Sequence, residues 1–564
     1  MKFVWKYLES YRFRAILAPL LKLLEVVLEL FVPVIVAEII DYGIAFGDRD
    51  YVRGHTLLLV LLAFFGVAVA VMAQYFAAGA ATTVSTAVRS DLFSHIMKFS
   101  YATQDSYGKE KFITRLTSDI LKVQNGVNIT LRLFLRSPFV VVGAVVMAFT
   151  VDAGSAVVFA VVVPVISVVV VLLIRLTLPL FAANQEKLDR VLSMVRSDVE
   201  GARVIRAFSL EETSKKEFYD MSGDLFDSQL KVSGIAAFQG PISMVVINLA
   251  TIFLIYNGAI RVDAGFLTQG QVVALVNYMA SILVELVKFA NAVMILSQAI
   301  ASGRRIEEVL AMDPDEADNA LATNLSKSEK ESGSSDDILA SLSGVSMKYP
   351  DSKDYAVRDI DFYIRKGEFV GVIGSTGCGK STLLNVLAGF YKPDRGSAVT
   401  PAEFAIAPQR AVLFSGTLRE NLCWGKKNAT DDEMWEALGT AEAEAVVDSL
   451  SGGLSAVIER GGSNLSGGQR QRICVARALM RKAPLIILDD SASALDYGTE
   501  SRMRKSLTGL SYGPAILWVS QRISSIRDAD RIYVMDQGRI VGVGIHESLL
   551  EGCKAYREIY ESQV

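Results

Sequence analysis

The 564 residues of this chain are enough for two or more domains. Hydrophobic residues make up 51% of them and charged residues 21%, which is too apolar a balance for an ordinary soluble protein. The net charge of −4 gives no basic excess, so we expect no nucleic-acid partner. The composition favours a membrane protein, with the apolar excess concentrated before about residue 310.

The first half of the chain carries this apolar excess. Residues 2–8 mix aromatic and basic side chains, which is typical of a helix that lies on the cytoplasmic surface of a membrane. Six apolar segments follow, each long enough to cross a bilayer; they are 15–42, 57–80, 133–151, 157–178, 234–260 and 272–290. The alternative is that one or two of them are buried helices of a soluble domain.

The distribution of basic residues orients these spans. Lysines and arginines are frequent before the first span, between the second and third, and between the fourth and fifth. The short loops 152–155 and 258–268 contain one basic residue between them, Arg261. Because basic loops stay on the cytoplasmic side, both termini should be cytoplasmic and the protein multi-pass, in contact with the lipid bilayer.

The two long basic stretches have a helical pattern over roughly 50 residues each. A 20-residue helical arm extends about 30 Å beyond the membrane, so two hairpin stalks are predicted, with tips near 101–108 and 203–210. Such stalks could transmit force; the alternative is that they are loops with no mechanical role.

Several charges lie inside the predicted spans. Glu25 and Glu29 share a helix face, and Glu285 and Lys288 are spaced to pair. Intramembrane charges usually face a bundle interior or an aqueous path. Either they are structural, or Glu25 and Glu29 line a cavity for cationic amphipathic substrates.

A polar segment, 311–337, is typical of a linker. It separates an expected membrane domain, 1–310, from an expected second domain, 338–564. All four cysteines lie in that second domain, and their spacing fits neither a zinc site nor a disulfide framework; they are Cys378, Cys423, Cys474 and Cys553.

The second domain contains a phosphate-binding pattern. An apolar run, 369–373, predicts a buried strand, and 381–389 predicts a helix. The intervening Gly-x-x-x-x-Gly-Lys-Ser allows backbone N–H groups and the helix start to bind phosphates. Lys380 is suited to the β- and γ-phosphates and the Ser381 hydroxyl to Mg²⁺. The candidate nucleotide-binding residues are Gly374, Ser375, Thr376, Gly377, Cys378, Gly379, Lys380, Ser381 and Thr382.

Two further segments carry related chemistry. An apolar strand, 485–488, ends in Asp489 and Asp490, and Asp489 is placed to hold Mg²⁺ through water. The sequence Leu-Ser-Gly-Gly-Gln at 465–469 opens an Arg-rich helix and forms a second anion-binding helix start; its candidate residues are Ser466, Gly467, Gly468 and Gln469. Two anion sites but one nucleotide site suggest that the second faces a partner's nucleotide.

In these motifs the chain resembles the ATP-binding-cassette (ABC) transporters, with 465–469 similar to their signature motif. Gln409 resembles the Q-loop residue, 493–496 the D-loop, and Tyr349 the aromatic residue that stacks on adenine. Further similarities lie at 459–461 (the X-loop) and at 105–119 and 200–208 (the two coupling loops).

The resemblance implies ATP and Mg²⁺ as ligands, with Gln409, Ser381 and Asp489 near the metal. It also implies two cassettes that dimerise head to tail, so that each ATP lies between the phosphate loop of one cassette and the signature of the other. One chain has one of each, so a second half-transporter is implied.

Two positions depart from the family pattern, and both concern hydrolysis. Where the family has a glutamate that polarises the attacking water, this chain has Asp490. Its carboxylate falls short by about 1 Å, a displacement that can lower a rate on the order of 100-fold. In place of the family's switch histidine stands Gln521, which can donate a hydrogen bond but cannot carry a proton. Candidate catalytic residues are therefore Asp490, Gln521 and Gln409, at an impaired site.

We therefore expect a membrane all-α six-helix domain of the type IV ABC exporter fold, followed by an α/β P-loop ABC ATPase domain. The intact binding motifs, combined with the altered Asp490 and Gln521, resemble the degenerate-site subunit of heterodimeric bacterial exporters. The resemblance implies one half of such an exporter in a bacterial-type inner (plasma) membrane, acting on a hydrophobic or amphipathic drug, lipid or peptide. Its own site would bind ATP-Mg²⁺ and turn it over slowly, while its signature would complete the active site of the partner. A homodimer with two slow sites and an ATP-gated regulatory or channel-type membrane protein are the alternatives.

Overall fold

The computed structural model describes residues 2–9, 11–312, 337–350 and 352–563. They form two compact units, one of Met1–Ser94 with Glu110–Met312 and one of His95–Lys109 with Asp313–Val564. The predicted linker falls mainly on residues 313–336, which lie outside the described residues.

Up to residue 312 the described chain is helical. Its α-helices are α1 (Lys2–Glu9), α2 (Arg12–Glu38), α3 (Arg49–Ile96), α4 (Tyr101–Tyr107), α5 (Lys109–Thr114), α6 (Ile120–Ile129), α7 (Arg136–Val151), α8 (Ala153–Glu200), α9 (Ala202–Ala207), α10 (Glu211–Ala237), α11 (Gln239–Asp263) and α12 (Gln269–Ala311). Three π-helical turns interrupt the series at Ile39–Ile44, Arg115–Asp119 and Thr130–Phe134.

The predicted apolar segments fall mainly on these helices, and 15–42 and 133–151 extend into the neighbouring π-helical turns. Four helical stretches of the described chain are long and apolar enough to cross a membrane, namely Arg49–Ile96, Lys109–Val151, Glu211–Asp263 and Gln269–Ala311. A shorter apolar helix covers Ala153–Val169. The first predicted span, in α2, differs from these because Lys22, Glu25 and Glu29 interrupt its apolar part.

Two local features modify the expected pattern. The fifth predicted segment, 234–260, is broken, since α10 ends at Ala237 and α11 begins at Gln239. Pro241 lies in the first turn of α11, where its missing N–H removes no hydrogen bond within the helix. The predicted stalk tips fall on two short helices, α4 and α9.

Small residues pack the helices of the first unit together. Ala144, Ala148, Ala156 and Ala274 are fully buried around Tyr278. Such residues allow helix backbones to approach closely within a membrane.

The second unit is an α/β domain. Its strands are β1 (Ile338–Met347), β2 (Val357–Arg365), β3 (Phe369–Gly374), β4 (Arg395–Val399), β5 (Ala405–Ala407), β6 (Gly416–Thr417), β7 (Val457–Ile458), β8 (Leu485–Asp489), β9 (Ala515–Ser520), β10 (Arg531–Asp536) and β11 (Arg539–Gly544). The six-stranded sheet has the order β11-β10-β3-β9-β8-β5, with β11 antiparallel to β10 and the remaining pairs parallel. A three-stranded antiparallel sheet has the order β2-β1-β4.

Helices surround these sheets. They are α13 (Lys380–Leu387), α14 (Leu418–Cys423), α15 (Asp431–Thr440), α16 (Glu444–Asp448), α17 (Gly467–Leu479), α18 (Tyr497–Thr508), α19 (Ile523–Ile526), α20 (His546–Gly552) and α21 (Lys554–Glu561). Helix α13 ends before the predicted Gly389, because that glycine has a φ of +74°, a left-handed conformation that follows helix ends.

The order of the parallel strands decides where the site lies. Strand β9 lies between β3 and β8, so the carboxyl ends of all three strands reach one edge of the sheet. Ligands of parallel α/β sheets bind at that edge. The residues that follow the three strands belong to the phosphate loop, the Asp489–Asp490 pair and the segment that contains Gln521.

Candidate nucleotide-binding site

Glycines shape the loop between β3 and α13. Gly377 and Gly379 have φ values of +82° and +103°, which favour glycine. A Cβ on Gly379 would lie 2.7 Å from the Ala356 carbonyl oxygen, and one on Gly374 only 2.3 Å from that of Met535. The loop therefore requires glycine for its close approach to neighbouring backbone, and it leaves Ser375, Thr376 and Gly377 exposed.

Lys380 is buried beneath this loop. Its Nζ donates to the carbonyl oxygens of Gly374 and Ser375, at 2.7 and 2.8 Å. Cys378 is also buried, and its side chain packs in the apolar core. Ser381 and Thr382 occupy the first turn of α13, with the Ser381 side chain exposed.

Two adjacent carboxylates end the neighbouring strand β8. Burial, followed by the charge of Asp490, raises the pKa of Asp489 to about 6, while Lys380 and the backbone amide of Gln409 oppose the shift. Burial also raises the pKa of Asp490, against Lys380 and the Gln409 and Gln521 side chains. Gln409 therefore contacts both carboxylates, through its backbone at Asp489 and its side chain at Asp490.

This excess of buried negative charge fits a divalent cation. Mg²⁺ prefers oxygen ligands such as carboxylates and hydroxyls, and Asp489, Ser381 and Gln409 would hold it. When bound, the ion would neutralise charge on the phosphate oxygens.

Gln521 links the two sides of the site. Its Nε2 donates to Asp490 Oδ2 at 3.2 Å, and its Oε1 accepts from Thr376 Oγ1 at 3.3 Å. Asp490 itself has a φ of +45°, and its N–H donates to the Val519 carbonyl at 2.9 Å. The phosphate loop, Asp490 and Gln521 thus form one hydrogen-bonded group.

The Leu-Ser-Gly-Gly-Gln segment forms a separate helix start. Ser466 and Gln469 cap α17 reciprocally: Ser466 Oγ accepts from the Gln469 N–H, and the Ser466 N–H donates to Gln469 Oε1. A Cβ on Gly468 would lie 2.9 Å from the Ala494 carbonyl oxygen, and Gln471 hydrogen-bonds Ser493 and Ala494. The signature helix therefore packs against the predicted D-loop.

Tyr349, the predicted adenine-stacking residue, is half-buried, and its hydroxyl lies 3.2 Å from Thr382 Oγ1. Its ring meets that of Tyr391 edge to face, with centroids 5.2 Å apart. Tyr391 in turn donates to Asp105 Oδ2 at 2.7 Å, and Phe390 packs on Tyr101. Sequence reasoning identified 105–119 as a coupling loop but missed Tyr391, which lies outside any motif that it used.

Sequence reasoning named four members of a charge cluster in the first unit but missed Arg136 and Lys22. The Arg136 guanidinium lies 2.5 Å from Glu29, 2.5 Å from Glu285 and 3.8 Å from Glu25. Lys22 pairs with Glu25 at 2.5 Å and Lys288 with Glu285 at 2.9 Å. Each carboxylate is thus already paired with a cation of the chain. This pairing supports a structural role for Glu285 and Lys288, and it argues against a cavity in which Glu25 and Glu29 bind cationic substrates.

Comparison with known families agrees with both units. Residues 15–287 match the ABC transporter transmembrane region, and residues 357–493 match the ABC transporter ATPase family. The chain belongs to the ABC transporters. The predicted fold class is therefore confirmed: a multi-pass helical membrane domain followed by an ABC ATPase domain, in a family that binds ATP with Mg²⁺.

Individual relatives span nearly the whole ABC transporter chain. An uncharacterized ABC transporter ATP-binding protein of Bacillus subtilis, YfiB, is 32% identical over 99% of this chain and 97% of its own length. A probable multidrug resistance ABC transporter ATP-binding/permease protein of the same organism, YheI, is 30% identical over 99% and 96%. A solved bacterial Atm1-family ABC exporter with ATP bound shares the fold, with a TM-score of 0.82, 19% identity and coverage of 98% of this chain and 100% of that one.

Proposed function

We propose that this ABC transporter is one half of a heterodimeric, ATP-driven exporter. Its own site binds ATP-Mg²⁺ and turns it over slowly, and its signature residues complete the hydrolysing site of a different partner subunit. The single observation that carries this proposal is the hydrogen-bonded pair of Asp490 and Gln521, since both positions depart from the family pattern at the same step.

The chemistry of that pair accounts for slow turnover. Asp490 retains a carboxylate, and burial raises its pKa, which suits a base. Its side chain is one methylene shorter than glutamate, however, and a general base must come within hydrogen-bond reach of the water that it activates. Gln521 can orient oxygen atoms through its amide but has no titrating group.

The signature helix supplies the second half of the proposal. Ser466 and Gly467, at the start of α17, are exposed, and a helix N-terminus attracts anionic phosphate. We propose that this surface faces the γ-phosphate of ATP held by the partner's phosphate loop.

The membrane domain defines the substrate class only broadly. We propose that it exports a hydrophobic or amphipathic compound (drug, lipid or peptide) from a bacterial-type inner membrane, with both termini cytoplasmic. The similarity to YheI of Bacillus subtilis, a probable multidrug resistance transporter, favours drug-like compounds. The stalk tips α4 and α9 would transmit closure of the cassettes to the spans.

The test is ATPase activity of the purified chain alone and with a co-expressed partner that carries Glu and His at the equivalent positions. The chain alone should be nearly inactive and the pair active. Within the pair, Ser466→Arg should abolish hydrolysis because it fills the anion site, and Asp490→Asn should change it little.

An ordinary exporter rate for the chain alone would contradict this proposal and favour a homodimer in which Asp490 suffices as base. Failure of the active pair to accumulate any amphipathic dye in inverted vesicles, despite ATP hydrolysis, would instead favour an ATP-gated regulatory or channel-type protein.

A further inference from the structure

The segment that carries Gln521 is held by a residue far along the chain, Gln563. The Gln563 side chain donates from Nε2 to the Gln521 carbonyl oxygen at 2.6 Å and accepts from the Ile523 N–H at 2.9 Å. One side-chain amide thus brackets the backbone on both sides of Arg522. This geometry uses both the donor and the acceptor of the amide, as a backbone peptide in a sheet does.

Gln563 is exposed, but it lies directly after a helix that packs against the core. It follows α21, in which Tyr556 is fully buried. The hydroxyl oxygen of Tyr556 lies 2.8 Å from Nδ1 of His546. The Gln563 N–H donates to the Tyr560 carbonyl at 3.0 Å, which continues the end of that helix. The bracket therefore connects the Gln521 segment to an anchored helix.

The other side of the segment is held differently. Arg522 donates to the carbonyl oxygens of Ser493 and Leu495, each at 3.1 Å. The D-loop therefore holds the segment through a long charged side chain, whereas Gln563 holds the backbone directly. Between these attachments the Gln521 side chain spans Thr376 and Asp490.

We propose that Gln563 is a positioning residue for Gln521 and that it sets how well this site distinguishes ATP from ADP. The inference rests on the proposed contact of Gln521 with the γ-phosphate. Without the bracket, the 521–523 backbone can shift and the Gln521 amide loses its fixed place between the phosphate loop and Asp490. Only a ligand with a γ-phosphate should be affected, because ADP lacks the group that Gln521 is proposed to contact.

The experiment measures dissociation constants of a non-hydrolysable ATP analogue (adenylyl imidodiphosphate) and of ADP, with Mg²⁺, on the full-length chain in nanodiscs. Gln563→Ala should weaken binding of the analogue about fivefold, the scale of one neutral hydrogen bond, and leave ADP affinity unchanged. Gln563→Glu should do the same, because a carboxylate can accept from Ile523 but cannot donate to the Gln521 carbonyl. Ser562→Ala, whose hydroxyl contacts only the Ile559 carbonyl in the described structure, is the matched control and should have no effect.

A double-mutant cycle separates positioning from a structural role. In a Gln521→Ala background, Gln563→Ala should cause no further loss of analogue affinity. Additive losses, equal losses for ADP, or a Gln563→Ala protein that matches wild type while Gln521→Ala is weakened would each overturn the inference. If Gln521→Ala itself leaves analogue affinity unchanged, the proposed role of Gln521 fails, and the inference fails with it.

Discussion

Clustered charges occur in two regions of this chain, and the regions differ in whether the chain itself supplies the opposite charges. In the membrane unit, three carboxylates (Glu25, Glu29 and Glu285) meet three cations of the same unit (Lys22, Arg136 and Lys288). In the ATPase unit, Asp489 and Asp490 lie side by side, and the nearby Lys380 donates its hydrogen bonds to loop carbonyls.

This difference distinguishes charges that stabilise the fold from charges that bind a ligand. A charge cluster that is balanced within the chain gains little from a ligand and loses much when one member is removed, because an uncompensated buried charge remains. In a cluster with an excess of negative charge, the pKa of a carboxyl group is raised, as it is at Asp489. Such a cluster is stabilised by a ligand of positive charge. The balanced cluster supports the fold and the unbalanced one supports function.

The largest expected effect comes from breaking the balanced cluster. Arg136→Ala would leave three carboxylates without their shared cation, which should cost on the order of 3–5 kcal/mol of stability. Thermal unfolding of the solubilised protein, monitored by size-exclusion chromatography, measures this loss of stability.

Arg132→Ala is the matched control, since Arg132 lies one helical turn earlier and donates to a neutral partner, Gln74, at 2.9 Å. Adding Glu29→Gln and Glu285→Gln to the Arg136→Ala protein should restore part of the lost stability. Equal unfolding temperatures for the Arg136→Ala and Arg132→Ala proteins would show that the cluster is not the stabilising element.

The second prediction concerns the unbalanced cluster. Lys380→Ala should lower MgATP affinity by roughly 10- to 100-fold, because a charge-assisted hydrogen bond contributes about 1.5–3 kcal/mol. Nucleotide-free stability should change far less than it does in the Arg136→Ala protein. Binding is measured by equilibrium titration with a fluorescent ATP analogue. A loss of nucleotide-free stability as large as that of Arg136→Ala would remove the distinction between the two regions.

The smallest effect concerns a completed polar pair within the ATPase unit. Tyr391→Phe removes the hydroxyl that binds Asp105 while keeping the ring that packs on Tyr349. The lost hydrogen bond should loosen the segment His95–Lys109 by about 0.5–1.5 kcal/mol, seen as faster amide hydrogen exchange there. Tyr349→Phe is the control, because its hydroxyl faces Thr382. Equal exchange in the wild-type and Tyr391→Phe proteins would refute a role for this pair.

Much of the nucleotide site could be predicted because its residues are consecutive. The phosphate loop, the Asp489–Asp490 pair and the signature segment each combine a strand or helix with a short local pattern. Arg136 and Gln563 could not be found in this way, since their partners lie 107 to 149 residues away in one case and 40 to 42 in the other. Glu25 and Glu29 were identified, but a spacing of four residues says nothing about the arginine opposite them.

By itself the sequence determined the two-part organisation, the family, the ATP-binding motifs and the two departures at Asp490 and Gln521, because hydrophobic periodicity and local motifs are properties of neighbouring residues. Only the tertiary structure decided that Gln521 spans Thr376 and Asp490, that Tyr391 connects Tyr349 to Asp105, and that Arg136 pairs with the intramembrane carboxylates. These contacts arise when strand order and helix packing bring distant side chains together, and a desolvated charge is stable only where such packing supplies its partner.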